Sequence, residues 1–560
     1  MCGIFALFNN LKYKDEVIKM LFLEGKNRGP EVSQFQYLFK HNMYLGFHRL
    51  AINGYQDENA NQPFQINNIL LMCNGEIYNH KELYELMNIT PKSDSDCEVI
   101  IYCYEKYGIE YTLKLLDGVY AFVLIDLNKN KIFAARDLFG VRPLFMNTFI
   151  QTDENSTIGY ALASELKNID GFHELTNNVK QVKPGSLITF LIKDQVVFES
   201  QKQINQIRNF CNFTKENDML KSVYTNLENA IIKRVKNTDR EVACLLSGGL
   251  DSSLVAALVK KHYKGDLHTW SIGMEGSDDL KYAQIVADHI GSIHHSIVVS
   301  EEEFLDAIPY VIRTIESYDT TTVRASVGNW LICKYIKENS NAKVIFNGDG
   351  ADEVMGGYMY FYMAPNALDF DKECIRLLED ICYFDVLRSD RSISSHGLEA
   401  RTPFLDRAFV SNYLSIPPNL RHHKQNGQCE KYIMRTAVEK YGNCLLPKEV
   451  LWRTKEAFSD GVSKKTKSWF EIIQDHIKNV EYNHISEKIQ KNILTNMNPY
   501  RYNKPTTLEQ MYYRDIFCKY YKSASCQKII PYFWMPKFVN ATDASARTLD
   551  IYKQISEPSF

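Results

Sequence analysis

The sequence predicts an α/β fold in two successive parts: a layered sandwich of strands covered by helices, then a doubly wound parallel sheet with a helical C-terminal portion. Three observations carry this. The chain has 560 residues, too many for one typical domain. Up to about residue 190 its apolar residues alternate in short runs bounded by turn formers, the period of half-buried strands. Beyond about residue 217 the pattern becomes apolar run, glycine-rich turn and amphipathic helix, the period of a parallel sheet with crossover helices.

In chain order, YLGFHRLAI, NILLMCNGEIYN, GVYAFVLIDLNKNKIFAARD and GSLITFLI are the clearest early strands, with NKN as a hairpin turn. Helices are expected around residues 15–26 and 96–107, and helices over strands make a sandwich. The stretch 199–217, rich in Gln, Asn and Lys, reads as a linker, so domains are expected at 2–195 and 215–540. EVACLLSGGLDSSLVAALVKKH then reads as strand, turn and helix, HTWSIGM as a second strand, and DDLKYAQIVADHIG as a helix closed by glycine. AKVIFNGDGADEV is a third strand running into an acidic loop. From about Met359 the pattern is helical, broken at TPFLD and SIPPN, and the polar tail after about Asn540 is expected to be disordered.

Bulk properties exclude several function classes. A net charge of −3 argues against nucleic acid as the main partner. No apolar run reaches membrane-spanning length, and the first residues lack the features of a signal peptide. The 13 cysteines are odd in number and lack a C-x-x-C pair, which points to a reducing, cytoplasmic setting. The pairs His294-His295 and His422-His423 have no nearby cysteine or helical histidine partner, so metal binding is not expected there.

Ser247-Gly248-Gly249-Leu250-Asp251-Ser252-Ser253 lies between a strand and a helix. Glycines let the backbone approach an anion, the helix offers free N–H groups, and the serines add hydroxyls: a phosphate cradle. The Gly-Lys-Ser/Thr ending of a Walker A loop is missing. Asp251 would repel phosphate unless a cation lay between them, which points to Mg²⁺. Asp349, Asp352 and Glu353 form a second acidic loop, expected at the same sheet edge. The bland alternative is that Gly-Gly with serines is a simple turn.

Cys2 raises a second question. Loss of Met1 would leave one residue with both a thiol and a free α-amine, and a neutral amine can accept the thiol proton. Acyl transfer also needs an oxyanion hole, for which Asn74 and Gly75 offer a side-chain amide and a backbone N–H. Arg49 suits a carboxylate and Asp96 an α-ammonium, the two ends of an amino acid. Taken singly, Cys2 could be a small buried hydrophobe, Arg49 a surface ion pair and Asn74 a turn former.

Together these segments resemble known families. S-G-G-x-D-S-S is similar to the PP-loop of ATP pyrophosphatases, which cleave ATP to AMP and pyrophosphate to activate a carboxylate. CGI, HRLAI, NGEIYN, SDCEVI and RDLFGVRPLF resemble class II glutamine amidotransferases, an αββα fold of the N-terminal nucleophile hydrolase type. The two in succession, with TIESYDTTTVRAS, DRSISSHGLEARTPFLD and LLPKEVLWRTKEAFSDGV, resemble the glutamine-hydrolysing asparagine synthetase family.

That resemblance implies glutamine, aspartate and ATP as substrates, Mg²⁺ as cofactor and a homodimer as assembly. It implies Cys2 as nucleophile, Asn74 and Gly75 at the oxyanion, and Arg49, Leu50, Ala51, Ile52, Asn53, Glu76 and Asp96 around glutamine. For ATP it implies Leu246, the loop from Ser247 to Ser253, Ile272, Asn347, Gly348 and Lys455, with Asp251 and Asp352 on the metal. One loop departs from the family pattern S-G-E-G-S-D-E. Here it reads Asn347-Gly348-Asp349-Gly350-Ala351-Asp352-Glu353, so Asp349 stands, one methylene shorter, where the family carries a glutamate acting as general base. Three rivals remain at this point: a ligase on the same scaffold with another carboxylate acceptor, a sugar-phosphate amidotransferase, and a non-catalytic descendant.

Overall fold

The computed structural model describes residues 1–151, 156–172, 177–204, 215–455, 461–463, 467–478, 502–541 and 543–545. Among the described residues twelve strands build the N-terminal half. They are β1 (Gly3–Phe8), β2 (Val32–Leu38), β3 (Met43–Arg49), β4 (Phe64–Ile66), β5 (Ile69–Ile77), β6 (Gly118–Asp126), β7 (Lys131–Arg136), β8 (Phe145–Ile150), β9 (Ile158–Ala163), β10 (Asn177–Gln181), β11 (Ser186–Ile192) and β12 (Val196–Gln203). They form two six-stranded sheets, ordered β10-β8-β9-β1-β3-β2 and β12-β11-β7-β6-β5-β4. The pairs in both sheets are antiparallel.

Alternation places Ile4, Ala6 and Phe8 of β1 and Leu45 and Phe47 of β3 against Met72, Val123 and Phe190 of the other sheet. The opposite face of β1, Phe5 and Leu7, packs with Ile18, Leu21 and Phe22 of the helix Asp15–Leu23. The outer face of β5, Leu71 and Cys73, packs with Val99, Ile100 and Cys103 of the helix Val99–Tyr107. Helix, sheet, sheet and helix thus stack as the sequence predicts.

The second half carries a parallel sheet of β13 (Val242–Leu245), β14 (His268–Gly273), β15 (Ile293–Val298), β16 (Val344–Phe346) and β17 (Glu399–Arg401), ordered β15-β14-β13-β16-β17. Two of these strands escape the apolar pattern. β15 is histidine-rich and partly exposed, and β17 is three buried residues, two of them charged, inside a run that reads as helical. Toward the C-terminus helices dominate, including Asp385–Ser394, Tyr432–Tyr441 and Leu508–Tyr520.

The stretch expected to be a linker begins instead as the edge strand β12, paired to β11, and ends inside the helix Glu216–Lys236. Residues 205–214, its middle, lie outside the described residues, as does most of the tail expected to be disordered. Among the described residues no helix is long and apolar enough to cross a membrane.

Candidate active sites

Cys2 directly precedes β1, whose pairing to β3 brings residue 2 beside the end of β3 where Arg49 and Leu50 lie. Its backbone N–H donates to Asn74 Oδ1 at 3.1 Å, its Sγ lies 3.6 Å from the Leu50 carbonyl oxygen, and Arg28 Nε donates to its carbonyl at 2.9 Å. Asn74, on β5, is fully buried, and its Nδ2 has no hydrogen-bond partner among the described residues. A buried amide donor left open beside a thiol is what an oxyanion requires. Gly75 is held to glycine by crowding, since a Cβ would lie 2.6 Å from the Val119 carbonyl oxygen and 2.8 Å from Tyr120 Cα.

Arg49 donates to the carbonyls of Asp57 (3.2 Å), Asn53 (3.3 Å) and Gly54 (2.6 Å) and to Asn61 Oδ1 (2.9 Å). None of these acceptors is a carboxylate, so the guanidinium shapes the 49–54 loop while its charge stays available. Leu50, Ala51 and Ile52 are buried. Asn53 Nδ2 donates to Glu76 Oε2 at 2.8 Å, and Asp96 Oδ2 accepts the Ile77 N–H at 2.6 Å. Burial, with Asp96 beside it, pushes the Glu76 carboxyl well up, and burial raises Asp96 as well. Every residue expected around glutamine is in this one region. Asn237, absent from the sequence reading, adds a donor from the other half, 2.7 Å from Glu76 Oε2 and 3.4 Å from Asp96 Oδ2.

Met1 is also buried, and burial lowers its amine to about 6. With Met1 attached the Cys2 nitrogen is an amide, and burial raises the Cys2 thiol.

The second site is a cleft at the carboxyl edge of the parallel sheet. The loop after β13 turns at Gly248, where φ is +72° and a Cβ would meet Tyr282 Cβ at 2.4 Å. Ser252 Oγ accepts the Ser247 N–H at 3.2 Å and sits 3.0 Å from Ser247 Oγ, closing the turn ahead of the helix Leu250–His262. Leu246 and Ile272 give the cleft an apolar wall. Gly348 brings the acidic loop against the phosphate loop, since a Cβ there would be 2.9 Å from both Asp251 Cβ and the Ser252 nitrogen. Of the residues expected to bind ATP, all line the cleft except Gly248 and Ser253, which serve the turn and the buried start of the helix.

Asp251 and Asp352 share a cation that the sequence did not suggest. Lys431 Nζ lies 2.6 Å from Asp251 Oδ2 and 2.5 Å from Asp352 Oδ1, while Lys455 Nζ reaches Asp352 Oδ2 at 2.7 Å. Burial works to raise the Asp352 carboxyl, but the two ammonium groups override it and hold it far below the carboxylate range. Glu353, buried and next to Asp352, is pushed up to about 7. Asp349 accepts from Arg388 at 3.0 Å through Oδ1, and its buried Oδ2 has no hydrogen-bond partner among the described residues. Arg388 also pairs with Asp385, whose Oδ2 accepts the Gly350 N–H at 3.2 Å. Thr321 lines the cleft with a buried hydroxyl that has no partner among the described residues, and Trp534 closes in from the C-terminal segment. Lys431, Lys455, Thr321 and Trp534 come from segments far apart in the chain, so no spacing in the sequence links them to the acidic loop.

The glutamine amidotransferase domain family matches residues 1–224, and the asparagine synthase family matches 222–369 and 363–516. The chain is 42% identical over 581 residues to the glutamine-hydrolysing asparagine synthetase of Gallus gallus, covering 99% of each. It is 40% identical over 579 residues to that of Homo sapiens, again covering 99% of each. The chain therefore belongs to the glutamine-hydrolysing asparagine synthetase family.

Proposed function

We propose that this chain converts aspartate to asparagine, using ATP to activate the acceptor and glutamine as the nitrogen source. Two buried atoms without a partner among the described residues carry the reading: Asn74 Nδ2 beside the Cys2 thiol, and Asp349 Oδ2 at the cleft. Each is a polar group for which a reacting substrate supplies the missing partner.

In the N-terminal site, removal of Met1 turns the Cys2 nitrogen into an amine. An α-amine, with an ordinary pKa of about 7.7–8.0, is partly neutral near pH 7 and can take the thiol proton. The thiolate attacks the carboxamide carbon, and Asn74 Nδ2 with the Gly75 N–H stabilises the oxyanion. Collapse expels ammonia, and water releases glutamate from the thioester. Arg49 holds the substrate carboxylate; Glu76 and Asp96 hold its ammonium.

In the cleft, the Ser247–Ser253 loop holds the β- and γ-phosphates. The β-carboxylate of aspartate attacks the α-phosphorus, giving β-aspartyl-AMP and pyrophosphate. Lys431 and Lys455 meet the phosphate charge, and Asp349 Oδ2 takes a proton from ammonia as it displaces AMP. Asp251 and Asp352 fit Mg²⁺: both offer hard carboxylate oxygens, and one ammonium already bridges them. Bound there, Mg²⁺ would neutralise phosphate charge.

The reading places the enzyme in the cytoplasm as a homodimer, with a first domain that runs on from the expected 2–195 through β12 and a second at 215–540. Support for a reducing compartment comes from the cysteines, all unpaired among the described residues. The test is product analysis with aspartate, ATP and Mg²⁺, plus either glutamine or ammonium. Asparagine and AMP from both nitrogen sources are expected. Glutamate without asparagine would overturn the acceptor assignment, and asparagine from ammonium alone would overturn the role of Cys2.

A further inference from the structure

The loop 49–54 surrounds the glutamine site, yet much of its backbone is held from the other half of the molecule. Asn237 to Arg240 belong to the five-residue connection, 237–241, between the helix Glu216–Lys236 and β13, and lie along this loop. Asp239 N–H donates to the Ile52 carbonyl at 3.0 Å, and Asp239 Oδ2 accepts the Gly54 N–H at 2.8 Å. Arg240 donates to the Ala51 carbonyl at 2.9 Å and pairs at 2.9 Å with Glu31, whose other oxygen accepts the Ala51 N–H at 2.6 Å. The Arg240 guanidinium also sits 4.0 Å over the Tyr55 ring. Asn237 completes the set with its bonds to Glu76 and Asp96.

One of these contacts, Asp239 N–H to the Ile52 carbonyl, joins backbone to backbone; the other bonds to the loop backbone run from the side chains of Asp239, Arg240 and Glu31 to Ala51 and Gly54. Such a set defines the conformation of the loop rather than filling space. Its partners are the loop that carries Arg49 and the two acids read above as holding the substrate ammonium. We propose that Asn237, Asp239 and Arg240 are positioning residues of the glutamine site, supplied in cis by the synthetase half, and that they set glutamine affinity by holding the 49–54 loop in its binding conformation. The assignment rests on the glutaminase reading given above.

Asp239 is exposed, so replacing it leaves the core untouched. The test compares Asp239→Ala, Arg240→Ala and Asp239→Asn in the full chain, measuring glutamate formation over a range of glutamine and, separately, asparagine formation from ammonium. Losing one such hydrogen bond is expected to raise the KM for glutamine roughly tenfold in both alanine variants. Asp239→Asn keeps an acceptor for the Gly54 N–H and should retain most of the affinity. Ammonium-dependent synthesis should be unchanged in all three. An unchanged KM in both alanine variants overturns the proposal. So does a parallel fall in ammonium-dependent synthesis, which would mark a structural role. A wild-type protein that forms no glutamate would instead overturn the glutaminase reading, and this assignment with it.

Discussion

Asp349 tests how much the length of one side chain matters in the proposed synthetase site. The sequence resemblance implies a glutamate at this position, one methylene longer, and a shift near 1 Å at a reacting group can cost about 100-fold in rate. Here Arg388 holds Oδ1 at 3.0 Å and leaves the buried Oδ2 without a hydrogen-bond partner among the described residues, while Asp385 fixes the following Gly350. The carboxylate is oriented by its neighbours rather than by its own length. Asp349→Glu should therefore change the rate of ammonium-dependent synthesis by less than about tenfold, because the anchor already compensates. A large gain in that rate would show the shortened side chain to be a defect. Cys2, Asn74 and Asp251 were legible in the sequence because their chemistry depends on chain position or on immediate neighbours. Lys431 was not, since nothing near it in QCEKYIMR refers to Asp251, 180 positions earlier.

At the scale of the element, the phosphate loop works because one turn is left-handed and close-packed. Gly248 adopts φ +72°, and its Cα faces Tyr282 and Ala283 on the helix Asp278–Ile290. A methyl group there would clash with backbone and strain the turn, so Gly248→Ala should push the loop away from that helix. The expected result is at least about a tenfold fall in asparagine formation from glutamine and ammonium alike, from misplacement of about 1 Å or less. Glutamate formation, from a separate site, should be kept. A variant that synthesised asparagine normally would show that the loop tolerates the shift. The strand–turn–helix was legible because glycine and apolar residues mark it locally. β17 was not, because Glu399-Ala400-Arg401 is a strand only by its pairing with β16, and its charges are buried against partners from distant segments.

For the whole molecule, the two halves meet through buried charge as well as apolar contact. Arg28, fully buried, lies 2.7 Å from Asp390 and 3.6 Å from Glu165, and Arg391 adds a 2.9 Å contact to Asp390. Asp390 belongs to the helix Asp385–Ser394, which also carries Asp385 and Arg388 into the cleft and Ser389 onto Asn347 at 2.6 Å. One helix thus seats the glutaminase half on one side and frames the ATP site on the other. Burial alone would raise the Asp390 carboxyl, but Arg28 and Arg391 lower it to about 2. A depressed carboxylate stabilises the fold above its ordinary value, near pH 4, and that contribution fades as pH falls toward about 2. The shift corresponds to about 2 kcal/mol at pH 7. Asp390→Asn should accordingly unfold more easily in urea at pH 7 by about that amount, with the gap constant down to about pH 5 and narrowing below about pH 4. Urea titrations of both proteins at pH 7, 5 and 3.5 would check this. A gap that is absent at pH 7, or that widens on acidification, would mean that the Arg28–Asp390 contact does not hold the halves together.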